Sequence, residues 1–140
     1  MVAATRRGGI PALQKDRAPR DMRRIRTGKR GEDLAAAHLL EQGYRIIARN
    51  YRCLYGEADI IARDGDTIVF VEVKSRKTEN FGLPQEAVGL AKQQKLSRIS
   101  LCYLQEKRLH ACKARFDVVA VSLSSAGTRI DLIRNAFDLR

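Results

Sequence analysis

Two apolar runs joined by a tight turn constrain this chain more than any other stretch. "EADIIAR" spans 57–63, "TIVFVEVKS" spans 67–75, and Asp64-Gly65-Asp66 lies between them. Gly supplies the positive φ that a short hairpin loop requires, and the β-branched residues on either side favour extended backbone, so the pair predicts an antiparallel hairpin. In the second run Ile68 and Phe70 share one parity, while Val69, Val71 and Val73 share the other. A strand apolar on both faces belongs in the middle of a sheet covered on both sides. That pattern ends in Glu72 and Lys74, two charges for which a buried strand has little use.

Register decides what these charges face. A two-residue Gly65-Asp66 loop sets Asp64 opposite Thr67 and Asp59 opposite Glu72. An Asp64-Gly65 loop sets Asp59 opposite Phe70 and Glu57 opposite Glu72. Either register leaves Glu57, Asp59, Glu72 and Lys74 on one face, because side chains alternate with period two. Directly opposed Cβ atoms lie about 5 Å apart, and like charges so placed repel. A hard divalent cation reverses that sign, since Mg²⁺ is held by one or two carboxylates plus water and phosphate oxygens. Lys74 would enter the same space, to orient or deprotonate a water or to hold a phosphate oxygen. The plainer alternative is a solvated face, because Glu-x-Lys on a strand is commonly a modest ion pair. Apolar residues on both faces of the strand, and the convergence of Asp59 and Glu32 on the same place, favour the functional reading.

The remaining chain supplies the frame. "GKRGEDLAAAHLLEQG" predicts a helix from about 28 to 42, closed by Gly43, with Glu32, Ala35, Ala36 and Leu39 on one face. Glu32 therefore points inward. Strands are expected at 44–53, 57–63, 67–75, 115–123 and 129–137, a loop at "NFGLP", and a second helix over 85–107 with an interruption near Gly89. The order α-β-β-β-α-β-β predicts one α/β domain over 27–140 with a mixed sheet. Residues 1–26 read as a basic arm, disordered or loosely helical.

Charge narrows the choice of partner. Lys and Arg number 27 against 16 acids, and residues 1–30 hold +8 of the net +11. A cationic arm on a nearly balanced domain suits a polyanion, of which nucleic acid is the commonest. A solvated tail or a membrane-surface tether is the alternative, but the arm lacks the apolar stripe that insertion needs. No run approaches the roughly 18 apolar residues of a membrane span, and no apolar segment of a secretory signal follows the first basic residues. Cys53, Cys102 and Cys112 match no CxxC spacing and read as free thiols of a cytoplasmic protein. His38 and His110 have no ligand spacing and read as surface residues. Lys92, Lys95 and Arg98 fall at i, i+3, i+6, where they could track a phosphate backbone, and a solvated helix face explains them equally well. Oligomeric state is open, a homodimer included.

Asp59 followed one hairpin later by Glu72-Val73-Lys74 resembles the PD-(D/E)xK signature of restriction-endonuclease-like nucleases, with Ala58 where the signature has Pro. "GEDLAAAHLLEQGYRIIARNYR", "GEADIIARDGDTIVFVEVKSR" and "RFDVVAV" resemble the YraN-like family of small bacterial proteins, over about residues 29–137. The arrangement is also similar to archaeal Holliday junction resolvases. The resemblance implies a restriction-endonuclease-like core, with a mixed central sheet flanked by helices. It also implies a catalytic set of Glu32, Asp59, Glu72 and Lys74. Asp59, Glu72 and the Val73 carbonyl would ligate Mg²⁺ or Mn²⁺, Glu32 would ligate or orient water, and Lys74 would activate the nucleophile or stabilise charge on phosphorus. Glu57 fits the YraN-like pattern with no role carried over, and residues 1–26 lie outside the resemblance. The implied activity is metal-dependent endonucleolytic cleavage of DNA, branched or otherwise structured. Its rivals are a non-cleaving nucleic-acid-binding module on the same fold and an adaptor whose basic arm docks an acidic protein.

Overall fold

The computed structural model describes residues 20–76 and 88–139, with side chains from 28 onward. Two helices and five strands follow in the order α1 (Arg20–Glu41), β1 (Arg45–Cys53), β2 (Gly56–Asp64), β3 (Thr67–Arg76), α2 (Leu90–Glu106), β4 (Lys113–Ser124) and β5 (Gly127–Phe137). The strands form one sheet in the order β1-β2-β3-β4-β5, antiparallel except for the parallel β3–β4 pair. This is the expected α-β-β-β-α-β-β mixed-sheet architecture. No described helix is long and apolar enough to cross a membrane.

The β2–β3 turn takes the first of the two registers. Asp64 pairs with Thr67, and the pairing runs back to Ile60 with Val71. Gly65 adopts φ 61 while Asp66 has no positive φ, as a type II′ turn requires. Both faces of β3 are buried. Val69 and Val71 pack with Ile60, Ala62, Val119 and Val121 against Ala35, Ala36 and Leu39 of α1. Ile68 and Phe70 pack with Leu96, Ile99 and Tyr103 of α2 and with Phe116. Tyr103 meets the Phe70 ring edge-on at 5.8 Å.

The starts of both helices differ from the sequence-based ones. The first helix begins at Arg20, not near 28. The segment Arg20–Arg26 contains no Gly or Pro and is rich in Arg, a good helix former, so the helix extends back into the basic segment. Its C-terminus is as expected: Gly43 at φ 92 lets Tyr44 N–H donate to Leu39 O (2.9 Å) and Gly43 N–H to Leu40 O (3.1 Å). The second helix starts at Leu90, with Gly89 as an extended N-cap. The predicted "NFGLP" loop, residues 85–87 of the predicted helix, and residues 1–19 of the arm lie outside the described residues. Gly31 sets how closely α1 approaches β3. A Cβ there would overlap Ser75 Oγ and lie 2.9 Å from Ser75 Cβ.

Candidate active site

Regular pairing fails on both sides of Asp59. On the β1 side the register passes from Arg49↔Ile60 to Tyr51↔Ala58 with no pair at Asn50 and Asp59, and Asn50 adopts φ 55. On the β3 side the ladder stops at Ile60↔Val71. The next ladder donor, Val73 N–H, goes to Asp59 Oδ2 at 2.8 Å. A carboxylate has taken the place of a backbone carbonyl, so β2 and β3 part here without leaving a buried N–H unmatched. Strand alternation also slips: Ile61 and Ala58, three residues apart, share the α2-side core.

Glu72 lies in this opening, 5% exposed. Its Oε2 is 3.5 Å from Lys92 Nζ of α2, and its Oε1 is buried with no hydrogen-bond partner. Asp59 is close enough for a hydrogen bond between the two carboxyls. Burial, then the charge of Glu72, push its pKa from 3.8 up to about 7, against the opposing pull of the Val73 N–H. Two carboxylates both accept, so the contact is satisfied only by a proton or a cation between them. Lys74 follows two residues later on the same face of β3, half-buried opposite Ala120. The opening is therefore built by β2, β3 and the first turn of α2.

Glu32 is bound elsewhere. Its Oε1 accepts from Arg49 Nη2 at 3.1 Å and Nε at 3.3 Å, and its Oε2 accepts from Asn50 Nδ2 at 3.1 Å. Arg49 also meets Asp33 at 2.6 Å. No hydrogen bond or ion pair among the described residues joins Glu32 to Asp59 or Glu72, and none of them form a cluster of three or more metal-ligating His, Cys, Asp or Glu. Glu57 departs from the expected single face: it accepts from Asn50 Nδ2 at 3.4 Å and pairs with Arg52 at 2.9 Å. The slip at Asp59 turns Glu57 away from Glu72, because one irregular residue reverses the parity of everything before it.

The three basic residues of α2 separate. Lys92 belongs to the carboxylate pair, the Lys95 stem lies over Gly56, and Arg98 is exposed without an ion pair to a described residue. His110 is exposed and His38 half-buried, and all three cysteines are free.

One charged cluster was not anticipated. Asp117 on β4 is wholly buried and accepts from Tyr44 Oη (2.7 Å), Arg115 Nε (3.0 Å) and Asn135 N–H (2.9 Å). Arg115 also reaches Asp64 at 2.7 Å. Burial and Asp117 push the Tyr44 hydroxyl up to about 12. The sequence signal was present: Asp117 shares the parity of Val119 and Val121, so a carboxylate stands in an apolar stripe.

The raised Asp59 pKa has a measurable consequence. Between about pH 4 and 7 the folded state keeps a proton that the unfolded state has released, so stability falls as pH rises through that window, and the deficit is complete above it. Asp59→Asn removes the deficit. In metal-free buffer it is expected to raise stability at pH 8 by on the order of 1–3 kcal/mol and to change little at pH 4. Thermal melts at both values check this, and a loss of stability at pH 8 would show that Asp59 is structural.

Among known proteins, a model of the family described as "Uncharacterised protein family UPF0102" matches residues 31–121. A "UPF0102 protein" of Syntrophus aciditrophicus is 66% identical over 115 residues, covering 82% of this chain and 91% of the relative. Another, from Geobacter sulfurreducens, is 54% identical over 113 residues, covering 80% and 88%. One from Caldicellulosiruptor saccharolyticus is 44% identical over 118 residues, covering 83% of this chain and all of the relative.

Proposed function

The chain belongs to the UPF0102 family, and from that premise and the Asp59–Glu72 pair we propose that it is a metal-dependent nuclease hydrolysing phosphodiester bonds in DNA. The observation that carries this reading is the buried Glu72 carboxylate, whose Oε1 has no hydrogen-bond partner and whose charge raises the Asp59 pKa. Leaving a buried carboxylate oxygen unmatched is costly, and a divalent cation would satisfy it while relieving the repulsion.

The donor set fits Mg²⁺ or Mn²⁺: hard oxygens from Asp59 and Glu72, to which the Val73 carbonyl would add a third. A residue in a strand directs its N–H and C=O to the same edge, so that carbonyl faces the gap from which Val73 N–H reaches Asp59. The ion, when bound, supplies positive charge to the phosphodiester and acidifies water. Lys74 would hold a non-bridging phosphate oxygen and offset charge gathering on phosphorus. Lys92 would balance Glu72 in the metal-free protein and turn to a phosphate when the ion takes its place. In the reaction a water oxygen bonds to phosphorus as one P–O ester bond breaks. One water proton ends on the leaving alkoxide, and the other stays with the new monoester or passes to solvent.

A specific observation favours a second reading. Arg49 and Asn50 hold the Glu32 carboxylate that the nuclease resemblance assigns to the site, as would suit a nucleic-acid-binding module that does not cleave. A panel of labelled single-stranded, duplex, forked and four-way DNA, incubated with Mg²⁺, Mn²⁺ or EDTA, separates the two. Products only with the cations are expected. Salt-sensitive binding with no product in any arm would establish the binding module, and no binding at low salt would leave the adaptor.

A further inference from the structure

Leu54 and Tyr55 form the two-residue tip of the β1–β2 hairpin, between the paired Cys53 and Gly56. Leu54 is 91% exposed and Tyr55 46%. Neither has a positive φ; Gly56 carries it instead, at 135°. The turn therefore needs no Asn or Gly at its tip, yet nothing in its geometry calls for two large apolar side chains. Folding gains nothing from leaving them in water, and such local violations collect at functional sites.

Position gives the tip a role. Gly56 precedes Asp59 by three residues on β2, about 10 Å along the strand. Helix α2 spans this distance. Lys92 lies beside Glu72, and Lys95, one turn further on, covers Gly56 so closely that a Cβ there would come within 3.2 Å of its Cδ. Lys95 is exposed and makes no ion pair with a described residue. The carboxylate pair, two lysines and an aromatic-aliphatic tip thus follow one another on the α2 side.

We propose that the Leu54-Tyr55 tip stacks on an unpaired nucleobase of the DNA strand whose phosphate occupies the Asp59–Glu72 site. The inference rests on the nuclease reading and assigns the recognition of structured DNA to particular residues: the tip would require an unpaired base close to the scissile phosphate. The tip lies one turn beyond Gly56, so its separation from Asp59 corresponds to about four nucleotides at the 3.4 Å rise of a stacked strand. Lys95 would hold a phosphate between site and tip. Inside a perfect duplex each base face is already covered, whereas a fork or branch offers one that an aromatic ring can cover without regard to sequence.

The test is binding, not cleavage. Fluorescence anisotropy in EDTA at fixed salt compares fluorescein-labelled forked DNA with a fully paired duplex of equal length. The protein is expected to prefer the fork by about tenfold. The Leu54→Ser, Tyr55→Ser double variant should bring that ratio near one, with duplex affinity changed by less than about twofold. Tyr55→Trp should keep or enlarge the preference. These side chains face solvent, so circular dichroism should match the unsubstituted protein. A double variant that keeps the tenfold ratio overturns the tip's role and leaves the nuclease reading intact. Absence of affinity for either DNA overturns both.

Discussion

Asp59→Asn, Glu72→Gln and Lys74→Ala are each expected to reduce metal-dependent cleavage by at least about 100-fold, the scale on which removing one preorganised charge-stabilising group acts. DNA affinity in EDTA should stay within a fewfold, because most binding free energy comes from phosphate contacts spread over a basic surface. The Asp59→Asn, Glu72→Gln double variant should lose little more than either single one, since residues that share one ion act as a unit. Glu32→Gln is expected to lose less, its carboxylate being held by Arg49 and Asn50. Product formation by the double variant at the unsubstituted rate would remove the site. A loss with Glu32→Gln equal to that with Glu72→Gln would mean that Arg49 releases Glu32 when substrate binds.

The largest effect on stability should come from Asp117→Ala. Three donors converge on this wholly buried carboxylate: the Tyr44 hydroxyl, the Arg115 guanidinium and the Asn135 amide. Its removal strands the hydroxyl and the amide, and leaves Arg115 with Asp64. Breaking a buried ion pair on one side costs about 3–5 kcal/mol, which in a domain of this size lowers Tm by on the order of 10–20 °C. Asp117→Asn, which keeps one acceptor oxygen, should fall between Asp117→Ala and the unsubstituted protein in the same calorimetric scan. A cost below about 1 kcal/mol for Asp117→Ala would show that the network is not what fixes Tyr44 and the register shift between Phe116 and Val118 in the β4–β5 pairing. Substitution at the proposed site should behave oppositely: Asp59→Asn is expected to gain stability above neutral pH and, on the nuclease reading, to lose activity, because the repulsion between Asp59 and Glu72 is released.

The sequence by itself determined the features that depend on near neighbours. The alternation Ile68/Phe70 against Val69/Val71 made β3 central, because side-chain parity is a local property of extended backbone. Gly65 fixed the turn and with it the register, and Gly43 ended α1, because only certain residues take a positive φ cheaply. The inward face of Glu32 with Ala35, Ala36 and Leu39 was equally legible. So was the approach of Asp59 to Glu72, which follows from counting back along the hairpin.

Tertiary structure alone decided where that counting stops. Asn50, on another strand, takes a positive φ opposite Asp59, and Val73 N–H turns to the Asp59 carboxylate; together these open the sheet and send Glu57 to the other side. Glu32 faces inward as its helix dictates, but its partner is Arg49, 17 residues away, which only the packing of α1 on β1 brings within reach. Lys92 looked like one of three equivalent surface cations until α2 docked it on Glu72. Tyr44 and Asp117 meet across 73 residues. Periodicity reports which way a side chain leaves its own backbone. What it meets depends on how separate elements pack, and in this protein that decides which carboxylates find a cationic partner and which keep an oxygen unmatched.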